Sequence, residues 1–98
     1  MIARDRMTEA QHIAQTAGIV VGAASCCEQV TEERINAVAV KVRELVAATA
    51  DGYTDADLAN EQFSAALEVG KTAVESGRID PNRAEVDLNE LEQKLSAY

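Results

Sequence analysis

The chain has 98 residues, of which 47% are hydrophobic but only 3% aromatic, and its formal net charge is −8. This length predicts one domain over residues 1–98, which can fold alone but is small enough that association with a partner or with a second copy would help its stability. The excess of acids argues against direct nucleic-acid binding, because phosphate contacts need Lys and Arg. The few aromatic rings also offer little surface for stacking single-stranded bases.

A first helix is predicted over residues 9–29. Thr8 followed by Gln11 has the spacing of a capping box, which satisfies free N–H groups at a helix start. The apolar residues that follow recur every three or four positions and therefore share one helical face. They are Ile13, Ala17, Val20, Ala24 and Cys27.

The apolar run at residues 17–24 is too short to cross a membrane, because a spanning helix needs about 20 apolar residues. Residues 24–26 faintly resemble a lipoprotein cleavage box. However, Ala23 stands where such a box has leucine, and Asp5 and Glu9 interrupt the basic start. The sequence therefore predicts neither a membrane span nor an export signal, and we expect a cytoplasmic protein.

Two adjacent cysteines, Cys26 and Cys27, follow the apolar run. Neighbours on a helix point about 100° apart, so the two thiols cannot face one metal ion or one wall of the core. A disulfide between neighbours is strained. We expect Cys27 to be a small core residue and Cys26 to lie at the edge of that face. A redox role or an intermolecular disulfide is the alternative.

Glu9 and His12 have the Glu-x-x-His spacing of a di-iron ligand pair. A complete site needs a second such pair and two further glutamates, yet the chain has one histidine. A symmetric dimer could supply the second pair, so a metal-binding dimer remains an alternative. In the simpler interpretation, Glu9 complements the positive end of the helix and His12 lies on its flank. We expect neither a metal nor a cofactor.

A second helix is predicted over residues 32–50. Thr31 is its N-cap, and two glutamates follow in the first turn, where the helix dipole favours acids. Gly52 is a natural stop after the last turn. The apolar phase drifts little between the first two helices, so one continuous helix over residues 9–50 is the alternative.

A third helix is predicted over residues 55–76, with Thr54 as N-cap and with Tyr53 packed on Leu58 as a hydrophobic staple. The inner face is formed mostly by small residues and consists of Ala59, Phe63, Ala66, Gly70 and Ala73. A glycine inside a helix costs about 1 kcal/mol relative to alanine, so Gly70 indicates a close approach of another backbone.

A fourth helix is predicted over residues 81–96, because Asp80 is a good N-cap and Pro81 suits the first helical position. Its apolar face consists of Ala84, Leu88, Leu91 and Leu95. No long run alternates as a strand would. The sequence therefore predicts an all-α fold, either a four-helix bundle or two paired helical hairpins.

Enzyme motifs are absent from the sequence. It has no phosphate-binding glycine loop and no nucleophile elbow. A Cys–His pair would need His12, which lies about 20 Å from Cys26 along a continuous helix. The loop around Gly52 resembles part of a calcium loop, but Leu58 stands where a bidentate glutamate is needed. We therefore predict a non-enzymatic protein.

The small-residue faces of the first and third helices predict close helix contacts. The Gly18-x-x-x-Gly22 spacing in particular lets two backbones approach. The predicted contact residues are Gly18, Gly22, Ala24, Phe63, Ala66 and Gly70. We expect the protein to act by protein contact, as an adaptor, scaffold or regulator, and to form a homo-oligomer through these faces.

An acidic segment over residues 44–68 suggests a second function, because it contains no Lys or Arg. Such a surface suits a basic protein partner, although an ordinary solvated face is the simpler interpretation. The predicted partner-binding acids are Asp51, Asp55, Asp57, Glu61 and Glu68. In this alternative the chain is an acidic inhibitor, of the kind a mobile element could carry, that covers a basic nucleic-acid-binding surface of another protein.

Overall fold

The computed structural model describes residues 8–97. Within that range the chain forms four helices and no strand: α1 (Glu9–Ala24), α2 (Glu32–Thr49), α3 (Tyr53–Glu75) and α4 (Pro81–Ser96). Helix α1 packs against each of the other three, which confirms the predicted all-α bundle. No helix within residues 8–97 combines the length and the apolar content that crossing a membrane requires.

Side-chain caps start three of the four helices, as predicted. Thr8 Oγ1 accepts a hydrogen bond from Gln11 N at 3.2 Å, and Thr31 Oγ1 accepts one from Arg34 N at 3.2 Å. At α4 the Asp80 carboxylate accepts one from Asn82 N at 2.9 Å. Each cap satisfies an N–H group that the first turn of the helix leaves without a partner, so local sequence alone determines these starts.

The start of α3 differs from the prediction. The helix begins at Tyr53, and the N-cap is Gly52, which makes no side-chain cap bond and has a φ of +99°. Thr54 is therefore not the cap, and the predicted staple is wrong because Tyr53 is 92% exposed. A positive φ is easily adopted only by glycine, and it turns the chain into α3 two residues before the predicted start.

Helix α1 ends at Ala24, five residues before the predicted boundary. Cys26 N and Cys27 N donate to Ala23 O and Ala24 O, so the chain tightens into a turn instead of continuing the helix. Cys27 and Val30 are both 7% exposed and fill the corner that leads to α2. The alternative of one continuous helix over residues 9–50 is therefore wrong.

The core is a single cluster that takes side chains from all four helices. Helix α1 contributes mainly alanines, whereas the largest fully buried side chains come from all four helices and are Phe63, Leu88, Val21, Val42 and Val46. Small residues on α1 allow the neighbouring helices to lie close to its axis, which explains how a chain with so few aromatic residues fills its interior.

Candidate interaction surfaces

Helices α1 and α3 meet with their backbones in contact. A Cβ atom added to Gly18 would lie 2.5 Å from Ala66 Cβ and 2.7 Å from Phe63 O. The pairs Gln11–Asp55, Gly18–Phe63 and Gly22–Leu67 advance along both helices together, so α1 and α3 run parallel. Such distances are below van der Waals contact, so only glycine fits at position 18.

The second half of this contact is as close as the first. A Cβ atom on Gly22 would meet Leu67 O and lie 2.7 Å from the Leu67 carbonyl carbon. A Cβ atom on Gly70 would meet Ile19 O and lie 2.7 Å from Ala23 N. A pair of small residues four apart on α1 therefore faces a pair with the same spacing on α3, Ala66 and Gly70, the arrangement that permits close backbone packing.

The predicted contact residues are thus used within one chain. Ala24, Phe63 and Ala66 are no more than 3% exposed. Gly18, Gly22 and Gly70 are also buried, the three of them at the contact between α1 and α3. The two small-residue faces cover each other, and in this structure neither is open to a second copy of the chain.

Asp55 was predicted to lie on the acidic surface, and this prediction is wrong because Asp55 faces inward and is 8% exposed. Its Oδ1 accepts hydrogen bonds from Thr8 Oγ1 at 2.7 Å and from Gln11 Nε2 at 2.9 Å. Its Oδ2 accepts one from Asp51 N at 2.9 Å. The carboxylate therefore joins the start of α1, the loop before α3 and α3 itself.

These donors hold the pKa of the Asp55 carboxyl below its usual value, with the Asp51 backbone N–H as the largest cause, followed by Thr8 and Gln11. Gln11 therefore donates to Asp55, a use of its side chain that differs from the reciprocal bond of a capping box. A signal in the sequence could have revealed this role. Asp55 lies four residues before Ala59 and eight before Phe63, so it continues the buried face of α3.

The other predicted acids lie on the outside of the molecule. Asp51 is exposed in the loop before α3, and Asp57, Glu61 and Glu68 are exposed on the helix. Their spacing of four and seven residues puts the last three on the face opposite the core, and Glu75 continues it. We call Asp57, Glu61, Glu68 and Glu75 the acidic ridge. Glu75 was missed because it lies beyond the segment without bases.

An apolar furrow runs along α3 beside the acidic ridge, and α1 forms a wall of its first part only. One part is a depression of about 140 Å³ lined by Gln15, Ile19, Gln62, Ala65, Ala66 and Val69. A second depression of about 340 Å³ adjoins it and is lined by Glu68, Val69, Thr72, Ala73 and Arg78. Val69 borders both and is 55% exposed. We call these two adjoining depressions the furrow, a feature that the helical pattern of the sequence did not predict.

The two cysteines lie in different environments, as predicted. Cys26 is exposed, whereas Cys27 is buried and its Sγ donates to Pro81 O at 3.0 Å. Burial raises the pKa of the Cys27 thiol, and the negative charge of Glu85 raises it further. A buried, protonated thiol is a poor nucleophile, so Cys27 serves here as a packing residue between α1 and α4.

The proposed metal ligands Glu9 and His12 are both exposed on α1. Across residues 8–97, no three His, Cys, Asp or Glu side chains come together in a group that could hold a metal ion. The Glu-x-x-His pair therefore has no further ligand from the described part of its own chain.

A polar contact that the sequence did not predict joins α2 to α4. Arg34 Nε donates to both Glu92 carboxylate oxygens, at 3.0 and 3.1 Å, and Arg34 also contacts Asn89. The hydrogen bond from Arg34 lowers the pKa of the Glu92 carboxyl. Both side chains are about one-third exposed, so this ion pair links two helices at the surface of the bundle.

Comparison of the chain with protein-family models, with curated proteins and with solved structures gives no match. The surfaces of this chain are therefore the basis for inferring its function.

Proposed function

We propose that this chain is a non-enzymatic protein that binds a basic protein partner and acts as an adaptor, scaffold or regulator. The observation that supports this most strongly is the acidic ridge, which lies directly beside the exposed apolar furrow. Interfaces combine an apolar centre with a polar or charged rim, and α3 presents both on one side of the molecule.

The charges of the ridge are available for a partner. Within residues 8–97, the ion pairs of the structure are Arg34–Glu92 and Arg83–Asp87, and neither uses a ridge carboxylate. Carboxylates of one sign along a helix attract a basic surface over about a Debye length and accelerate its association. A partner whose basic surface otherwise binds nucleic acid, which the chain would then inhibit, is the narrower form of this proposal.

Self-association is a weaker proposal. The small-residue faces expected to carry it are buried against each other. The ridge would also repel the same ridge on a second copy, because like charges that face each other at an interface cost several kcal/mol.

A catalytic role has little support in the described residues. The single histidine, His12, is exposed on α1, and the Cys27 thiol donates to a backbone carbonyl instead of to a base. A nucleophile needs a base within hydrogen-bond reach. Two free thiols suit a reducing compartment such as the cytoplasm, which we propose as the location.

The test is affinity capture from a lysate of the native cells with two variants of equal charge. The first carries Asp57→Asn, Glu61→Gln and Glu68→Gln on the ridge. The matched control carries Glu28→Gln, Glu44→Gln and Glu90→Gln, which remove three exposed charges elsewhere. We expect wild type and control to capture the same basic proteins and the ridge variant to lose them.

Salt provides the second measurement. Capture should weaken strongly between about 0.1 M and about 1 M salt, as the Debye length falls from about 10 to about 3 Å. Equal loss of partners in both variants, or capture that salt does not affect, would contradict a contact made by the ridge.

A further inference from the structure

We propose that the furrow along α3 is the docking site for a basic amphipathic helix of the partner protein. Such a helix would place its apolar face against Ile19, Ala65 and Val69 and its Lys or Arg side chains over Glu61 and Glu68. This inference rests on the proposed function and deepens it by identifying the surface and the form of the partner segment.

The shape of the furrow suits a helix. Its two depressions adjoin at Val69 and extend along α3 from Gln62 to Ala73. At 1.5 Å per residue this is about 17 Å, or about three helical turns. Helix α1 forms the opposite wall of the first depression, through Gln15 and Ile19. An apolar groove receives an amphipathic helix through side chains spaced three and four residues apart.

The surface of the furrow includes apolar groups that the bundle itself leaves uncovered. Val69 is 55% exposed, Ala65 is exposed and Ile19 is half-buried, although all three belong to the most closely packed pair of helices. Helices α2 and α4 contribute no side chain to the lining of the depression between Gln15 and Val69. Covering these three side chains removes apolar surface from water and favours association.

The polar groups around the furrow favour a partner that donates hydrogen bonds and carries positive charge. Glu68 lines the second depression, Glu61 lies two helical turns earlier on the same face of α3, and Arg78 lies at the far end. Gln62 Nε2 donates to Gln11 Oε1, whereas Gln62 Oε1 is buried and has no hydrogen-bond partner among residues 8–97. This oxygen is covered within the chain, so the carboxylates of Glu61 and Glu68 are the acceptors open to a basic partner.

A second copy of the chain fits this surface poorly. A two-fold interface is formed by the same patch on both copies, so the glutamates beside the furrow would be brought close to those of a symmetric partner. A helix with Leu side chains on one face and Lys side chains on its flanks avoids that repulsion and fills the apolar centre.

The test uses an amphipathic peptide of about 15 residues made of leucine and lysine, with leucines at i, i+3, i+4 and i+7. A scrambled peptide of the same composition is the control. Binding is followed by amide chemical shifts of the full chain labelled with ¹⁵N. We expect the amphipathic peptide to move the resonances of Ile19, Ala65 and Val69, and to bind at least about tenfold more tightly than the scrambled peptide.

Two variants distinguish binding in the furrow from nonspecific binding to exposed apolar side chains. Val69→Ser should weaken binding about tenfold, which corresponds to burying one valine side chain. Val40→Ser is the matched control, because Val40 is also 55% exposed but lies on α2, outside the furrow. Both positions are at the surface, so both variants should fold, as circular dichroism can verify.

The outcomes distinguish this inference from the proposed function. If the ridge variant binds the peptide more weakly but Val69→Ser does not, the docking site in the furrow is contradicted and the proposal of a basic partner stands. Equal binding by wild type, Val69→Ser and the ridge variant overturns both. Three results with the peptide would contradict the proposed docking site. They are chemical-shift changes confined to other surfaces, equal binding of the scrambled peptide, and no binding at about 1 mM peptide. A lower solution mass of Val69→Ser without peptide also contradicts this docking site, because a second copy would then be the occupant.

Discussion

The contact between α1 and α3 and the attachment of α4 are built in different ways. In the first, glycines and alanines bring two backbones together, so backbone atoms provide much of the contact. In the second, Leu88 and Leu95 fill the space beside α1 and α2, and the Arg34–Glu92 pair joins α4 to α2 at the surface. The two parts of one small bundle therefore differ in how much change in side-chain volume each tolerates.

The difference lies in which atoms can move. A leucine side chain can change rotamer when its neighbour changes, but the carbonyl of a helix cannot move without disturbing the hydrogen bonds of its turn. Contacts made by small residues are also numerous per unit length, because the helix axes lie close together. The α1–α3 contact should therefore tolerate added volume least.

The largest effect is expected for Gly22→Leu. The leucine side chain would have to occupy the position of the Leu67 carbonyl, so the two helices would have to separate. We expect a loss of at least about 4 kcal/mol of unfolding free energy or failure to fold, measured by urea denaturation with circular dichroism. Thr16→Leu adds a large side chain at an exposed position of the same helix and should change stability by less than about 1 kcal/mol. A normal midpoint for Gly22→Leu would disprove the close contact.

The second-largest effect is expected for Leu88→Ala in α4. Leu88 is fully buried, and its truncation should cost about 2–5 kcal/mol, depending on how far the cavity collapses. We expect the variant to fold and to unfold in one cooperative transition. Leu58→Ala, at a position that is 44% exposed, should cost much less. A Leu88→Ala variant that fails to fold, or that loses its cooperative transition, would remove the distinction between the two contacts.

Asp55→Ala should lower the thermal midpoint by several degrees, because three hydrogen bonds to the carboxylate are lost and α1 is released from the start of α3. Asp57→Ala is the matched control, an exposed aspartate on the same helix. Near neutral pH, the Asp55 variant should be less stable than the Asp57 variant.

The effect of Asp55 should also depend on pH. Its pKa is lower in the folded state than in the unfolded state, where it is about 3.9. The ionised carboxylate therefore stabilises the fold fully above the unfolded pKa, and this contribution is lost as pH falls through the folded pKa. The difference between wild type and Asp55→Ala should shrink as pH is lowered below about 4. A difference that stays constant down to acid unfolding would contradict this role of the carboxylate.

The smallest effect is expected for Glu92→Gln. Its ion pair with Arg34 is partly exposed, so removing the charge should cost less than about 1 kcal/mol, and added salt should reduce the difference further. Chemical denaturation at low and high salt measures both. A loss as large as that of Leu88→Ala would mean that the ion pair, and not apolar packing, holds α4 in place.

Local chemistry in the sequence was enough to predict three helix starts and the all-α fold. Thr8, Thr31 and Asp80 act on N–H groups within three residues of themselves, so no tertiary information is needed. The end of α1 was predicted poorly, because it depends on Cys27 and Val30 filling a corner against other helices. Helix ends without a glycine carry a weak local signal.

The candidate surfaces were predicted less well than the fold. The absence of Lys and Arg over residues 44–68 indicated the exposed acids Asp57, Glu61 and Glu68, but it did not distinguish them from Asp55, which lies on the buried face of α3. The furrow depends on which side of the α1–α3 pair the other two helices leave open. That choice is made by packing across the whole bundle, which helical periodicity cannot reveal.

The adjacent thiols allow local opening of the fold to be measured without any substitution. A small alkylating reagent should modify exposed Cys26 in the native state, whereas it can reach Cys27 only when the corner between the end of α1 and Pro81 separates. The modification rate of Cys27, followed by mass spectrometry, would therefore report the free energy of that local separation when reclosing is fast. Two neighbouring residues thus provide the reference signal and the measurement in the unmodified sequence.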